Sequence, residues 1–269
     1  MLDKVLETIE FLKKKGFNNP EAGIVLGTGL GGLVTKIENT IEIQYKEIPN
    51  FPVSTVEGHA GKLIYGELGG KKVVAMQGRF HYYEGYGAEQ VTFPIRVMKN
   101  LGIKAIFLSN AAGGTNPKFT IGDIMFITDH ISLLPNPLIG PNDDRIGPRF
   151  PDMSKAYDKA LIEKAESIAQ KLGIQYKKGT YLSTSGPTFE TPAEYRYFRT
   201  IGADAVGMST TPEVITARHM SLPVFAVSII TDLGVDGKIE YTTHQSVQQA
   251  AEHSEGLMTQ IISGLIQMI

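Results

Sequence analysis

The feature that most constrains this chain is a rhythm. Short apolar runs rich in β-branched residues recur at "AGIVLG" (22–27), "KKVVAMQ" (71–77), "KAIFLSN" (104–110), "GDIMFITDHISLL" (122–134), "KGTYLST" (178–184), "DAVGMS" (204–209) and "PVFAVSIITD" (223–232). Helical patterns separate several of them, over 88–100, 154–172, 192–201, 212–219 and 246–268. Alternating strands and helices predict an α/β fold, a twisted sheet flanked by helices on both faces. Residues 41–77 depart from the rhythm. "IEIQYKEI" alternates apolar with polar, and "GKLIYGELGGKKVVAMQ" reads as a hairpin turning at Gly69-Gly70, so the sheet is expected to be mixed.

At 269 residues and 42% hydrophobic content the chain can bury a large core. No linker, repeat or low-complexity tract divides it, and a single domain over 1–269 is expected. A net charge of -2 supplies no basic footprint for nucleic acid. The absence of cysteine removes disulfides, thiolate nucleophiles and Cys-ligated metals. Residues 1–16 read as an amphipathic helix with early acids and late lysines, stopped by Gly16, rather than a signal peptide. No apolar run approaches the roughly 20 residues that span a bilayer. The expectation is a soluble cytoplasmic protein without a membrane partner.

Nearly every apolar run ends in glycine or polar residues: "GTGLGG", "QGRFHYYEGY", "SNAAGG", "STSGPTFET", "GMSTTPE" and "TDLG". Open α/β sheets bind ligands at the strand C-termini, so six such loops on one edge predict a site. "GTGLGG" fits G-x-G-x-x-G, but the next strand is one-sided and no acidic residue closes the unit. A tight turn whose amides and Thr28 hydroxyl hold an oxyanion is the better reading. Arg79 and His81, two apart on an extended loop, would project to one side and suit a tetrahedral oxyanion. An isolated pair would read as solvated surface. At a strand end among glycines, the functional reading is preferred.

In "SGPTFETPAEYRYF", Thr191, Pro192 and Glu194 form a predicted capping box, which gives Glu194 a structural role. Glu190 is not needed by the cap. Beside Phe189 it could face a planar base, with an exposed loop acid the equal alternative. His59, His130, His219 and His253 could each be structural, and no zinc-type spacing predicts a metal. The absence of G-x-S-x-G argues against an α/β hydrolase.

Taken in order, "GTGLGGL", "GHAGKLIYG", "MQGRFHYYEGY", "SNAAGG", "RFPDMSKAYD", "SGPTFETPAE" and "GADAVGMSTTPEV" resemble the trimeric purine nucleoside phosphorylase family over most of the chain. The resemblance implies a homotrimer of purine/uridine phosphorylase-like fold acting in purine salvage. The implied reaction is reversible phosphorolysis of purine (deoxy)ribonucleosides to free base and (deoxy)ribose 1-phosphate, with phosphate as co-substrate and no cofactor. Methylthioadenosine phosphorylase activity is the closest alternative. A dinucleotide-dependent oxidoreductase and a non-catalytic nucleoside-binding module are more distant ones.

Carried over by position, the family pattern puts phosphate on Thr28, Arg79, His81, Ala111 and Ser209, with His59 closing over it. Tyr83, Met208 and His244 meet the ribose, and Phe150 reaches in from a neighbouring subunit. Ala111, Ala112, Phe189, Glu190, Val206, Met208 and Asp232 surround the base, with Asn110 to Ala112 as a turn. His81, Glu190, Asp232 and His244 are the implied catalytic set. One position departs from the pattern: Asp232 stands where members selective for 6-oxopurines carry Asn.

Overall fold

The computed structural model describes residues 1–53 and 61–269. Among these, nine strands form one mixed sheet: β1 (Ala22–Leu26), β2 (Glu38–Gln44), β3 (Lys62–Leu68), β4 (Lys71–Gln77), β5 (Ala105–Gly114), β6 (Ile124–Ser132), β7 (Lys177–Ser183), β8 (Ala205–Gly207) and β9 (Val224–Leu233). The order is β2-β3-β4-β1-β5-β8-β7-β6-β9, and β9 pairs back with β5. Five of the strands therefore close on themselves, and the other four extend from β5 as an open wing. The expected hairpin is β3-β4, turning at Gly69 and Gly70 with both in the left-handed region.

Burial sets this topology. In β1 Ala22, Ile24, Val25 and Leu26 are all inaccessible, as a central parallel strand covered on both faces requires. Each such aliphatic side chain contributes about 1.5–3 kcal/mol when buried. The helices are α1 (Leu2–Lys14), α2 (Ala88–Val91), α3 (Phe93–Leu101), α4 (Lys159–Leu172), α5 (Pro192–Thr200), α6 (Thr211–His219) and α7 (His244–Gln267). They pack in two groups. One places α7 against β9, β5 and β3 with α4 beside it, and the other joins α1, α3 and α6.

Several boundaries differ from the sequence expectation. The helix over 88–100 is broken at Thr92, whose ψ of -1° separates α2 from α3. Residues 154–158 are not helical, because α4 is started by Asp158, whose carboxylate accepts the Leu161 N–H at 3.0 Å. "SNAAGG" is not a turn after a strand. It is the second half of β5, whose last residues leave β1 behind and pair with β8, Gly113 with Val206 and Gly114 with Ala205. Glycine makes the close approach to β9 possible, since a Cβ on Gly114 would lie 2.9 Å from Ile230 Cγ2. β9 likewise continues through Asp232 to Leu233.

Candidate active site

Arg79 leaves the end of β4 and turns inward, so that its side chain is only 1% exposed. Its Nε and Nη2 donate to Glu213 Oε1 and Oε2 at 3.0 and 2.8 Å, and Nη1 donates to the Ser109 carbonyl at 2.5 Å. The bidentate face expected to meet an oxyanion is thus engaged by Glu213, in the first turn of α6. Gly27 makes room for this arrangement, because a Cβ there would stand 2.9 Å from the Ser109 oxygen and 3.2 Å from Arg79 Nη1.

His81 is extended (φ -122°, ψ 154°), as the two-residue spacing requires. Glu84 Oε1 accepts its backbone N–H at 2.7 Å and stands 3.2 Å from its Nδ1. The ring stacks on Tyr83 with centroids 4.6 Å apart. Burial pushes the imidazole below its usual pKa, against the pull of Glu84, which makes His81 a neutral hydrogen-bonding group rather than a cation at neutral pH. Burial also keeps the Tyr83 phenol protonated, its pKa pushed up to about 12.

The glycines of "GTGLGG" shape a loop that α7 covers. Gly29 has φ +71° and lies where a Cβ would meet Ala251 and the Gln248 carbonyl, and the Gly32 N–H donates to the Glu255 carboxylate. The motif therefore seats α7 on the end of β1. His244 opens α7, held by the Thr243 cap, whose hydroxyl accepts from the Ser246 N–H at 3.0 Å. The ring nitrogen Nε2 of His244 is 3.2 Å from Gln248 Nε2.

Two carboxyls and a tyrosine lie farther along the sheet. Asp232 Oδ1 accepts from the Thr231 hydroxyl and Oδ2 from the Tyr195 hydroxyl, each at 3.0 Å. The Thr184 hydroxyl reaches Glu190 Oε1 at 3.5 Å. Burial raises the Asp232 carboxyl above its ordinary pKa, with the two hydroxyls opposing. Burial, with the Asp232 charge adding to it, lifts Glu190 to about 7. The capping box is present beside them, Thr191 N–H to Glu194 Oε2 at 2.7 Å and Glu194 N–H to Thr191 Oγ1 at 3.2 Å.

A cavity of about 480 Å³ gathers these groups. Thr28, Arg79, His81, Ala111 and Ser209 line it, as do Tyr83, Met208 and His244. So do Ala112, Phe189, Glu190, Val206 and Asp232. Phe150 does not; it stands 88% exposed on the surface. His59 lies outside the described residues. Ser109, against Arg79, and Gly113, whose Cβ position is 2.8 Å from Asp232 Oδ2, are four residues apart on β5, which separates the two ends by roughly 13 Å. Next to Ser209, Thr210 adopts φ +69°, an uncommon conformation for a β-branched residue, and Asn110 Nδ2 donates to its hydroxyl at 2.8 Å.

The side chains that hold this site together were not anticipated. Glu213 passes for an ordinary first-turn acid, Tyr195 for a helix-face residue and Glu255 for a solvated one. Only Glu84, three residues after His81, had a local signal.

A buried Arg–Glu pair and a neutral imidazole at one end, and two carboxyls whose pKa burial raises at the other, lie on a mixed sheet closed at β5–β9, an arrangement that fits a nucleoside phosphorylase. Residues 21–267 match the phosphorylase superfamily. Purine nucleoside phosphorylase 1 of Bacillus subtilis (strain 168) is 49% identical over 99% of this chain and 98% of its own. The purine nucleoside phosphorylase of Rattus norvegicus is 48% identical over 97% and 93%. A solved purine nucleoside phosphorylase of Schistosoma mansoni in complex with adenosine superposes with a TM-score of 0.93 at 42% identity, covering 98% of this chain and 96% of that one. The chain belongs to the phosphorylase superfamily, among its purine nucleoside phosphorylases.

Proposed function

We propose how this chain's residues divide the family reaction, in which a purine nucleoside and phosphate give free purine and ribose 1-phosphate. The observation that carries the reading is the two-ended cavity, with Arg79 and His81 at one end and Glu190 and Asp232 at the other. Phosphate sits at the Arg79 end, against His81, Thr28, Ser209 and the Ala111 backbone, and His59, outside the described residues, is assigned to the phosphate as well. Tyr83, Met208 and His244 hold the pentose, His244 at the 5'-hydroxyl. The purine lies among Ala112, Phe189 and Val206, with Glu190 and Asp232 at its polar edge.

A phosphate oxygen bonds C1' as the C1'–N9 bond breaks, and that electron pair departs with the purine. Positive charge develops on the sugar and negative charge on the base, so stabilisation comes from phosphate beneath the sugar and a hydrogen-bond donor at the purine N7. The chemistry uses phosphate as co-substrate and requires no cofactor. Inosine and guanosine are substrates, with appreciable activity on adenosine through Asp232. Complexes of Schistosoma relatives with adenosine and with hypoxanthine support a pocket of this shape receiving both kinds of base.

The working unit is a cytoplasmic homotrimer in which the exposed Phe150 of one protomer completes a neighbour's ribose site. Base release from inosine, guanosine and adenosine, with and without phosphate, tests the reading. Release that does not depend on phosphate would overturn it.

A further inference from the structure

On the base-site reading given above, the polar edge of the purine meets two carboxyls, and these are not held alike. Asp232 accepts a hydroxyl on each oxygen, from Thr231 and Tyr195, both at 3.0 Å. Glu190 has the Thr184 hydroxyl at 3.5 Å, the limit of a hydrogen bond. Tyr195 is buried, and a Cβ on Gly234 would stand on its ring, so the phenol is clamped toward the carboxyls. The groups that face Glu190 are Asp232, Tyr195 and Glu194, and those that face Asp232 are Thr231 and Tyr195. Two half-buried neighbouring carboxyls in such company retain one proton between them near neutral pH.

We propose that Tyr195 is a positioning residue that decides which of the two carboxyls carries their shared proton, and that this lets one site read both 6-amino and 6-oxo purines. With the proton on Glu190, its O–H donates to the bare N1 of adenine and the Asp232 carboxylate accepts from the 6-amino group. With the proton on Asp232, the Glu190 carboxylate accepts the N1–H of hypoxanthine or guanine and Asp232 donates to O6. The two forms differ only in where one proton sits, and neither takes up or releases a proton overall. The Tyr195 hydroxyl donates to Asp232 Oδ2 at 3.0 Å and acts more weakly on Glu190, so on balance it favours the ionised Asp232 and with it the 6-amino form.

The wild-type ratio of kcat/KM for adenosine to that for inosine should therefore stay flat between about pH 5.5 and 8, because both substrates use the same protonation total. In Tyr195→Phe the ratio should fall, by up to about tenfold, since the stronger of the phenol's two interactions is the hydrogen bond to ionised Asp232, and the flat profile should persist. In Asp232→Asn the ratio should fall and acquire a slope approaching tenfold per pH unit, because adenosine then needs Glu190 protonated and inosine needs it ionised. A wild-type ratio with that slope, or no phosphate-dependent cleavage of adenosine, overturns the shared proton. An unchanged ratio in Tyr195→Phe overturns the role of Tyr195, and should that variant not fold, the wild-type profile still decides. If Asp232→Asn changes neither ratio nor slope, the base-site assignment itself falls, and this proposal with it.

Discussion

Removing the Glu213 carboxylate takes from the buried Arg79 guanidinium the charge that balances it. The two side chains are 3% and 1% exposed and meet through two hydrogen bonds of 2.8 and 3.0 Å. Breaking a buried pair from one side costs about 3–5 kcal/mol, because the remaining charge keeps its desolvation penalty and loses its partner. That is a large share of the 5–15 kcal/mol available to a typical domain. Glu213→Ala should lose this much in urea unfolding followed at fixed protein concentration. The double variant Arg79→Met/Glu213→Leu should lose clearly less than the two single losses added together, with a coupling of roughly 1–3 kcal/mol. Phosphate provides a second readout. At about 100 times its Kd it should stabilise the wild type by roughly 2.7 kcal/mol and Arg79→Ala hardly at all. A Glu213→Ala variant within about 1 kcal/mol of wild type, or strictly additive losses, would refute the argument that this pair is a coupled unit.

Arg79→Ala should raise the KM for phosphate far more than that for the nucleoside; a phosphate KM that stays put while nucleoside binding collapses would contradict the assignment. Replacing His244 by Ala should penalise inosine more than 5'-deoxyinosine, so the ratio of their specificity constants is the measurement, and an unchanged ratio removes His244 from the ribose site. Glu190, lifted by burial from 4.5 to about 7, holds a proton in the folded chain that the unfolded chain has already released. Its contribution is present below about pH 4.5 and lost as pH rises through about 7, at most about 3 kcal/mol, and Glu190→Gln should flatten that part of the stability profile. Phe150→Ala should weaken nucleoside use while leaving phosphate binding intact, and sedimentation should show a trimer.

The sheet was legible because burial on both faces writes itself as unbroken apolar runs, and "AGIVL" and "VFAVSII" have no other economical place to go. The β3-β4 hairpin was legible for a different reason, the Gly69-Gly70 turn. Closure between β5 and β9 was not legible. It depends on Gly113 and Gly114 lying close against β9, and a glycine pair after an apolar run is locally indistinguishable from a loop. The same ambiguity turned "SNAAGG" into a turn. The helix start at Lys159 was missed because the apolar spacing from residue 154 suits a helix, and only the Asp158 cap distinguishes the two.

The site divides in the same way, between groups that offer chemistry and groups that hold them in place. Arg79, His81 and Asp232 stand near glycines at strand ends, and Glu190 precedes a helix cap that does not need it, so a reader of sequence can find them by asking what a mere loop would not need. Their partners lie elsewhere in the chain: Glu213 is 134 residues from Arg79, and Tyr195 is 37 from Asp232. Each partner sits in a helix where its residue type is unremarked, so only the fold reveals that it is turned inward. The consequence for function is direct. The offering groups fix the reaction class, which the motifs already suggest. The partners fix charge: Glu213 balances the Arg79 cation, Glu84 pulls against the burial that keeps His81 neutral, and Tyr195 holds the proton balance of two carboxyls. On the proposed reading, substrate preference among purines rests on residues that a motif comparison passes over, and substitutions at Tyr195 should shift that preference without altering any group that offers chemistry to the substrate.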